Sequence, residues 1–177
     1  MPKLIAVEGP DGAGKSTLLV RLSHDLHFPV YHTGGPPASR EMLHSKLEAV
    51  QERANSHLFD RVPHISEPIY SRASGKRMYM MEHDLHQALE KLDPIIIYCR
   101  LASMANMFRS IDQSKKVHKP RQHLEEVLQN YKSIVEDYDL TMRSLPPRVT
   151  VIQFSWETDS YPKLLEKIRA GGARCVV

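Results

Sequence analysis

Gly9-Pro10-Asp11-Gly12-Ala13-Gly14-Lys15-Ser16 is the stretch from which the fold of this chain is read. Ahead of it, Leu4-Ile5-Ala6-Val7 is a short apolar run bounded by Gly9, which predicts a buried strand. Behind it, Leu18, Leu19, Leu22 and Leu26 repeat at helical spacing, which predicts a helix from Ser16 to Leu26. Glycines at this spacing let the backbone bend so that its N–H groups converge on an anion. The helix behind them adds the partial positive charge of its N-terminus. Lys15 brings a mobile ammonium for the outer phosphates of a nucleoside triphosphate, and the Ser16 hydroxyl suits Mg²⁺. The pattern is G-x-x-x-x-G-K-[ST], and a strand before it with a helix after it is the context that confirms it. Pro10, Asp11, Gly12, Ala13, Gly14, Lys15, Ser16 and Thr17 are therefore the expected contacts of ATP.

Outward from this turn, strand-like and helical segments alternate. Strands are predicted at 28–32, 57–60, 95–99 and 149–154, and helices at 40–54, 77–92, 122–143 and 161–170. The long segment 122–143 carries Leu124, Val127, Leu128, Tyr131, Ile134, Val135 and Tyr138 at i, i+3, i+4 and i+7, so these residues are expected to form a packing stripe. Residues 61–76, with Pro63, Pro68 and Gly75, read as a loop. Leu101, Met104, Phe108 and Ile111 suggest a further helical stripe. Such an order predicts a five-stranded parallel α/β sheet with helices on both faces. No repeat or linker divides the chain, so 1–177 is expected to be one domain with a tail at 171–177.

The totals agree. The chain has 177 residues, 25% charged and 41% hydrophobic, which suits one globular domain and argues against disorder and fibrous classes. The apolar run Ile95-Ile96-Ile97-Tyr98-Cys99 is far short of the ~20 residues of a membrane span, so no membrane partner is expected. No secretory leader is read, and two cysteines without close spacing fit a reducing cytoplasm. The net charge of +3 is mild and does not oppose an anionic partner. The guanine-reading N-K-x-D motif of GTPases is absent.

Val7-Glu8-Gly9-Pro10-Asp11-Gly12-Ala13-Gly14-Lys15-Ser16-Thr17 resembles the opening of thymidylate kinases, and Phe59-Asp60-Arg61 resembles their Asp-Arg pair. Val62-Pro63-His64-Ile65-Ser66 departs from the pattern that follows this pair in cellular members. The make-up of the chain is more similar to the divergent deoxynucleotide kinases of bacteriophages. The resemblance implies a P-loop NTPase of nucleotide kinase type, a host-cell cytoplasmic location and a homodimer. It also implies that Asp11 faces the acceptor sugar, although a turn-forming role fits Asp11 equally.

Asp60, at a strand end, is a candidate for holding Mg²⁺ or for capping the loop behind it. Arg61 is a candidate clamp for an acceptor phosphate, because a guanidinium fork matches phosphate oxygens. Arg72 and Arg100 are further clamp candidates, Arg100 because it follows the carboxyl end of a central strand. The loop from His32 to Pro36 is a candidate lining of the acceptor pocket, and Glu8 is a weaker catalytic candidate. Arg109, Lys115, Lys116, Lys119 and Arg121 form a basic run, 109–121, that resembles a kinase lid.

Three functions follow. The first is transfer of the γ-phosphoryl of Mg·ATP to a deoxynucleoside monophosphate, a dTMP-like acceptor. The second moves it to a hydroxyl, on a nucleoside or on a hydroxymethylated base within DNA. That acceptor needs a base, for which Asp60, Asp11 and Glu8 are candidates. The third is a nucleotide-binding module without catalysis.

Overall fold

The structure is a computed structural model in which residues 4–100 and 121–171 are described, with only the backbone described for 121–130. Strand β1 (Leu4–Glu8) lies at the centre of a five-stranded sheet, flanked by β3 (Leu58–Asp60) and β4 (Pro94–Cys99). Beyond them lie β2 (Val30–His32) and β5 (Thr150–Phe154), giving the order β2-β3-β1-β4-β5. Every pairing is parallel.

Helices α1 (Lys15–Leu26), α2 (Arg40–Arg53), α3 (Pro63–Ala73), α4 (Glu82–Glu90), α5 (Arg121–Ser144) and α6 (Tyr161–Ala170) cover the sheet. The two-residue period of the strands sorts the core into two layers. Ile5 and Val7 join Leu18, Leu19, Leu22 and Leu26 of α1 and Leu164 and Ile168 of α6. Leu4 and Ala6 face the other way, onto Val50, Ile65, Ile69, Leu89, Ile134 and Tyr138. Because both faces are covered, β1 and β4 are buried along their whole length, which is why residues 4–7 and β4 read as apolar runs.

The alternating order and the parallel sheet match the expectation. The segment 61–76 does not: Pro63–Ala73 is the helix α3. Pro63 occupies its first turn, where no N–H is needed, but Pro68 is interior and removes a helical hydrogen bond at a cost of about 3 kcal/mol. Ile65 and Ile69 are fully buried, and each contributes roughly 1.5–3 kcal/mol of burial, enough to offset the proline. The helix expected over 77–92 is confined to Glu82–Glu90. The expected stripe at 101–111, the lid cations Arg109, Lys115, Lys116 and Lys119, and the tail beyond Gly171 lie outside the described residues, and so does the Arg121 side chain.

Candidate functional site

The parallel strands all deliver their carboxyl ends to one edge of the sheet, and the turn after β1 opens there. Gly9 has φ 136°, and a Cβ on it would collide with the Cys99 carbonyl oxygen of β4. Gly14 caps α1 with φ 78° and leaves the first-turn amides without a side-chain cap or an acidic neighbour. That is the exposed positive end an anion requires.

Lys15 is almost fully buried, and its Nζ donates to the Pro10 carbonyl at 2.7 Å. Burial pushes its pKa down to about 8, aided by the nearby Arg61 charge and opposed by Asp11, Cys99 and Asp60. An ammonium held this way, without a counterion in contact among the described residues, is arranged to receive a negative group.

Trp156, after β5, was not singled out by sequence. Its indole Nε1 donates to the Gly14 carbonyl at 3.2 Å, and its ring sits where a Cβ on Gly14 would fall. Arg21 lies over the indole, with its guanidinium carbon 5.1 Å from the Trp156 ring centroid and 5.7 Å from that of Tyr161.

Asp60 ends β3 beside the cradle, and Arg61 follows it. His32 and Asp60 are register partners on β2 and β3, and His32 Nδ1 lies 2.8 Å from Asp60 Oδ2. Arg61 takes φ 65°, a left-handed conformation rare for a long side chain. Its Nη2 donates to Asp11 Oδ1 at 2.6 Å and to the Tyr70 hydroxyl at 2.8 Å, and the guanidinium packs 4.9 Å from the Tyr70 ring centroid. Burial opposes the Arg61 charge, but Tyr138, Tyr70 and Asp11 more than offset it and hold the guanidinium well above its ordinary pKa. Its Nε is buried and has no acceptor among the described residues.

These groups border a cavity of about 300 Å³. The loop 32–37, Lys46, Asp11, Asp60, Arg61 and the α3 residues Pro63, Ser66, Glu67 and Tyr70 line it. Lys46 holds the loop in place through the Gly35 carbonyl. The structure thus brings Asp11, Asp60, Arg61 and the His32–Pro36 loop together beside Lys15. Arg72 and Arg100 do not line the cavity. Arg72 pairs with Glu82 at 2.7 Å and Asp137 at 3.1 Å, and Arg100 pairs with Asp139 at 2.9 Å.

For Mg²⁺, the Ser16 hydroxyl and the Asp60 carboxylate form the oxygen donor set this ion prefers. Asp60 is close enough to Lys15 for its charge to act on the ammonium, so both would border one triphosphate. The residues present fit the ion. No group of three or more potential metal-ligating side chains occurs among the described residues.

No protein-family model matches the sequence, and no curated protein matches it. Solved structures do share the fold. The YorR protein of Bacillus subtilis, in complex with phosphorylated GDP, is 20% identical over 94% of both chains, with a TM-score of 0.68. Deoxyadenosine kinase of M. mycoides with bound dATP is 18% identical, over 94% of this chain and 99% of that one, at 0.62. Thymidylate kinase of Candida albicans is 15% identical over 96% and 92%, at 0.58. The chain therefore has the P-loop fold of the nucleotide kinases. No helix among the described residues is long and apolar enough to cross a membrane.

Proposed function

We propose that this protein is an ATP-dependent phosphotransferase that moves the γ-phosphoryl of Mg·ATP to a deoxynucleoside monophosphate in the 300 Å³ cavity. The observation that carries the reading is the meeting of Arg61 with the cradle. A part-buried guanidinium just after β3 touches Asp11 of the phosphate loop and borders the acceptor cavity at the same time. Two solved structures of one relative in fold, the M. mycoides deoxyadenosine kinase with dATP and with dCTP, support a nucleotide ligand for this fold.

In this reading the amides of the 9–15 turn and Lys15 hold the donor phosphates. Arg61 holds the acceptor phosphate, with Asp11 and Tyr70 fixing the guanidinium. Ser16 and Asp60 would hold Mg²⁺, which would supply charge neutralisation to the donor phosphates. An acceptor phosphate is already nucleophilic at neutral pH, so positioning and charge carry the reaction. The basic run 109–121, with Arg109 and Arg121, supplies lid cations on its charge alone. A homodimer and a cytoplasmic setting complete the proposal by resemblance.

A hydroxyl acceptor, on a nucleoside or within DNA, is favoured by one observation. The Asp60 carboxylate next to His32 Nδ1 orients the ring so that its other nitrogen can accept a proton. Radiolabelled ATP offered in parallel to deoxynucleoside monophosphates, nucleosides and DNA separates the readings. Label on free monophosphates that is lost in Arg61→Ala is the expected result. Label on no acceptor removes the enzyme reading.

A further inference from the structure

Glu8 is the last residue of the central strand, after Leu4, Ile5, Ala6 and Val7, and it is wholly buried. A fifth apolar residue would be far cheaper there, since an ionised carboxylate loses its hydration on burial. The fold keeps the acid and places two donors on it. The Val62 N–H donates to Oε1 at 2.6 Å, and the Tyr138 hydroxyl donates to Oε2 at 3.1 Å.

Both donors lead to Arg61. Val62 is its chain neighbour, and the Arg61 N–H is itself tied to the Val7 carbonyl at 3.0 Å. The left-handed Arg61 is thus gripped by β1 on both sides, by a carbonyl before it and by the Glu8 carboxylate after it. Such a conformation persists only where its surroundings over-determine it. The second route runs through rings. Tyr138 lies edge-on to Tyr70 with centroids 6.2 Å apart, and the Tyr70 hydroxyl accepts from Arg61 Nη2.

We propose that Glu8 is a positioning residue for the acceptor: its carboxylate holds Arg61 in the left-handed conformation that aims the guanidinium at the incoming anion. The inference rests on the reading of Arg61 as the acceptor clamp.

The grip depends on charge. A carboxylate accepts from Val62 and Tyr138 together. A protonated Glu8 must donate from one oxygen, which turns the Tyr138 hydroxyl round and disturbs the contact with Tyr70 and Arg61. Burial pushes the Glu8 carboxyl up to about 7, against the pull of the Val62 N–H, Arg61, Tyr138 and Lys15. Among the described residues, the ionisable groups facing it are Lys15 from α1, Arg61 after β3, Tyr70 from α3, Cys99 from β4 and Tyr138 from α5. The clamp is therefore set at pH 8 and released below neutrality.

Glu8→Gln keeps the shape and mimics the protonated form. The expected result at pH 8 is a roughly tenfold higher KM for the acceptor, with the KM for ATP within about twofold of wild type. The wild-type acceptor kcat/KM should show a limb near pH 7 that Glu8→Gln lacks. The acceptor phosphate's own ionisation near pH 6 is common to both. A second readout needs no turnover: the side-chain NMR signal of Arg61, assigned with Arg61→Lys, should titrate near pH 7 in wild type and stay flat in Glu8→Gln. An unchanged acceptor KM with the pH 7 limb retained, or an Arg61 signal that titrates alike in both proteins, overturns the proposal. If wild type phosphorylates nothing, the functional reading fails, while the Arg61 titration still decides whether Glu8 sets its conformation.

Discussion

Lys15→Met should abolish ATP binding and yet make the ligand-free protein more stable. The Lys15 ammonium has its pKa lowered from 10.5 to about 8 by burial, so keeping it charged in the fold costs roughly 3 kcal/mol near neutrality. Methionine fills a similar volume and suits a helix start. It forfeits the Nζ donation to the Pro10 carbonyl, worth about 1 kcal/mol, but that oxygen still faces the Ala13 N–H at 3.4 Å. The net gain is roughly 2 kcal/mol, which for a chain of this size raises Tm by about 4–8 °C. The sign follows from linkage. A lowered Lys pKa means that stability is withheld at low pH and recovered as pH rises from about 8 toward 10.5. The advantage of Lys15→Met should therefore be full at pH 7 and small at pH 10. Thermal unfolding at the two pH values, with and without Mg·ATP, is the assay. Nucleotide should raise the wild-type Tm and leave the variant unmoved. A variant that melts at or below wild type at pH 7, or gains equally at both pH values, refutes the argument that the buried ammonium is held at a cost.

Gly14→Ala would place a Cβ 2.5 Å from Trp156 Cδ1 and Nε1 on a backbone with φ 78°. It should lose about 2 kcal/mol or more and shift the emission of Trp156, the only tryptophan, both read in one fluorescence melt. Asp60→Asn should raise the Mg²⁺ concentration for half-maximal ATP turnover by roughly tenfold or more, and an unchanged Mg²⁺ titration would take Asp60 out of the metal site. The raised pKa of Glu8 implies stability that is fully present below pH 4.5 and lost as pH rises through about 7, a total of roughly 3 kcal/mol. Denaturant midpoints of wild type minus Glu8→Gln across pH 4–8 should show that slope, since His64, whose pKa is pushed down to about 4 by burial, cancels in the difference.

The cradle was legible because everything it needs is local. A strand, three glycines, Lys15 and a helix start lie within one short stretch, and backbone conformation does the rest. Asp60 and Arg61 were legible as a pair at a strand end. The helix α3 was not, because proline and glycine report on local preference while the burial of Ile65 and Ile69 depends on a sheet face assembled from distant segments. Arg72 and Arg100 show the same limit from the other side. Charge and position nominated them, but the acids that engage them, Glu82 on α4 and Asp137 and Asp139 on α5, are brought near only by the packing of those helices.

Tyr138 marks the boundary between the two kinds of information. Its spacing on α5 placed it correctly on the apolar face, and its ring is indeed buried against Tyr98 and Tyr70. Periodicity resolves a face, however, and not an atom. The hydroxyl at the far end of that ring meets a carboxylate 130 positions away. Donor phosphates need a continuous run of amides, which one peptide segment can supply. An acceptor clamp must face that run from outside it, so its supports come from other strands and helices. Here β1 supplies two supports, the Val7 carbonyl and the Glu8 carboxylate, and α3 and α5 one each, to the Arg61 that follows β3, while Asp11 of the glycine-rich turn meets its guanidinium. A site of this kind has a half that can be read from sequence and a half that exists only once the sheet has closed.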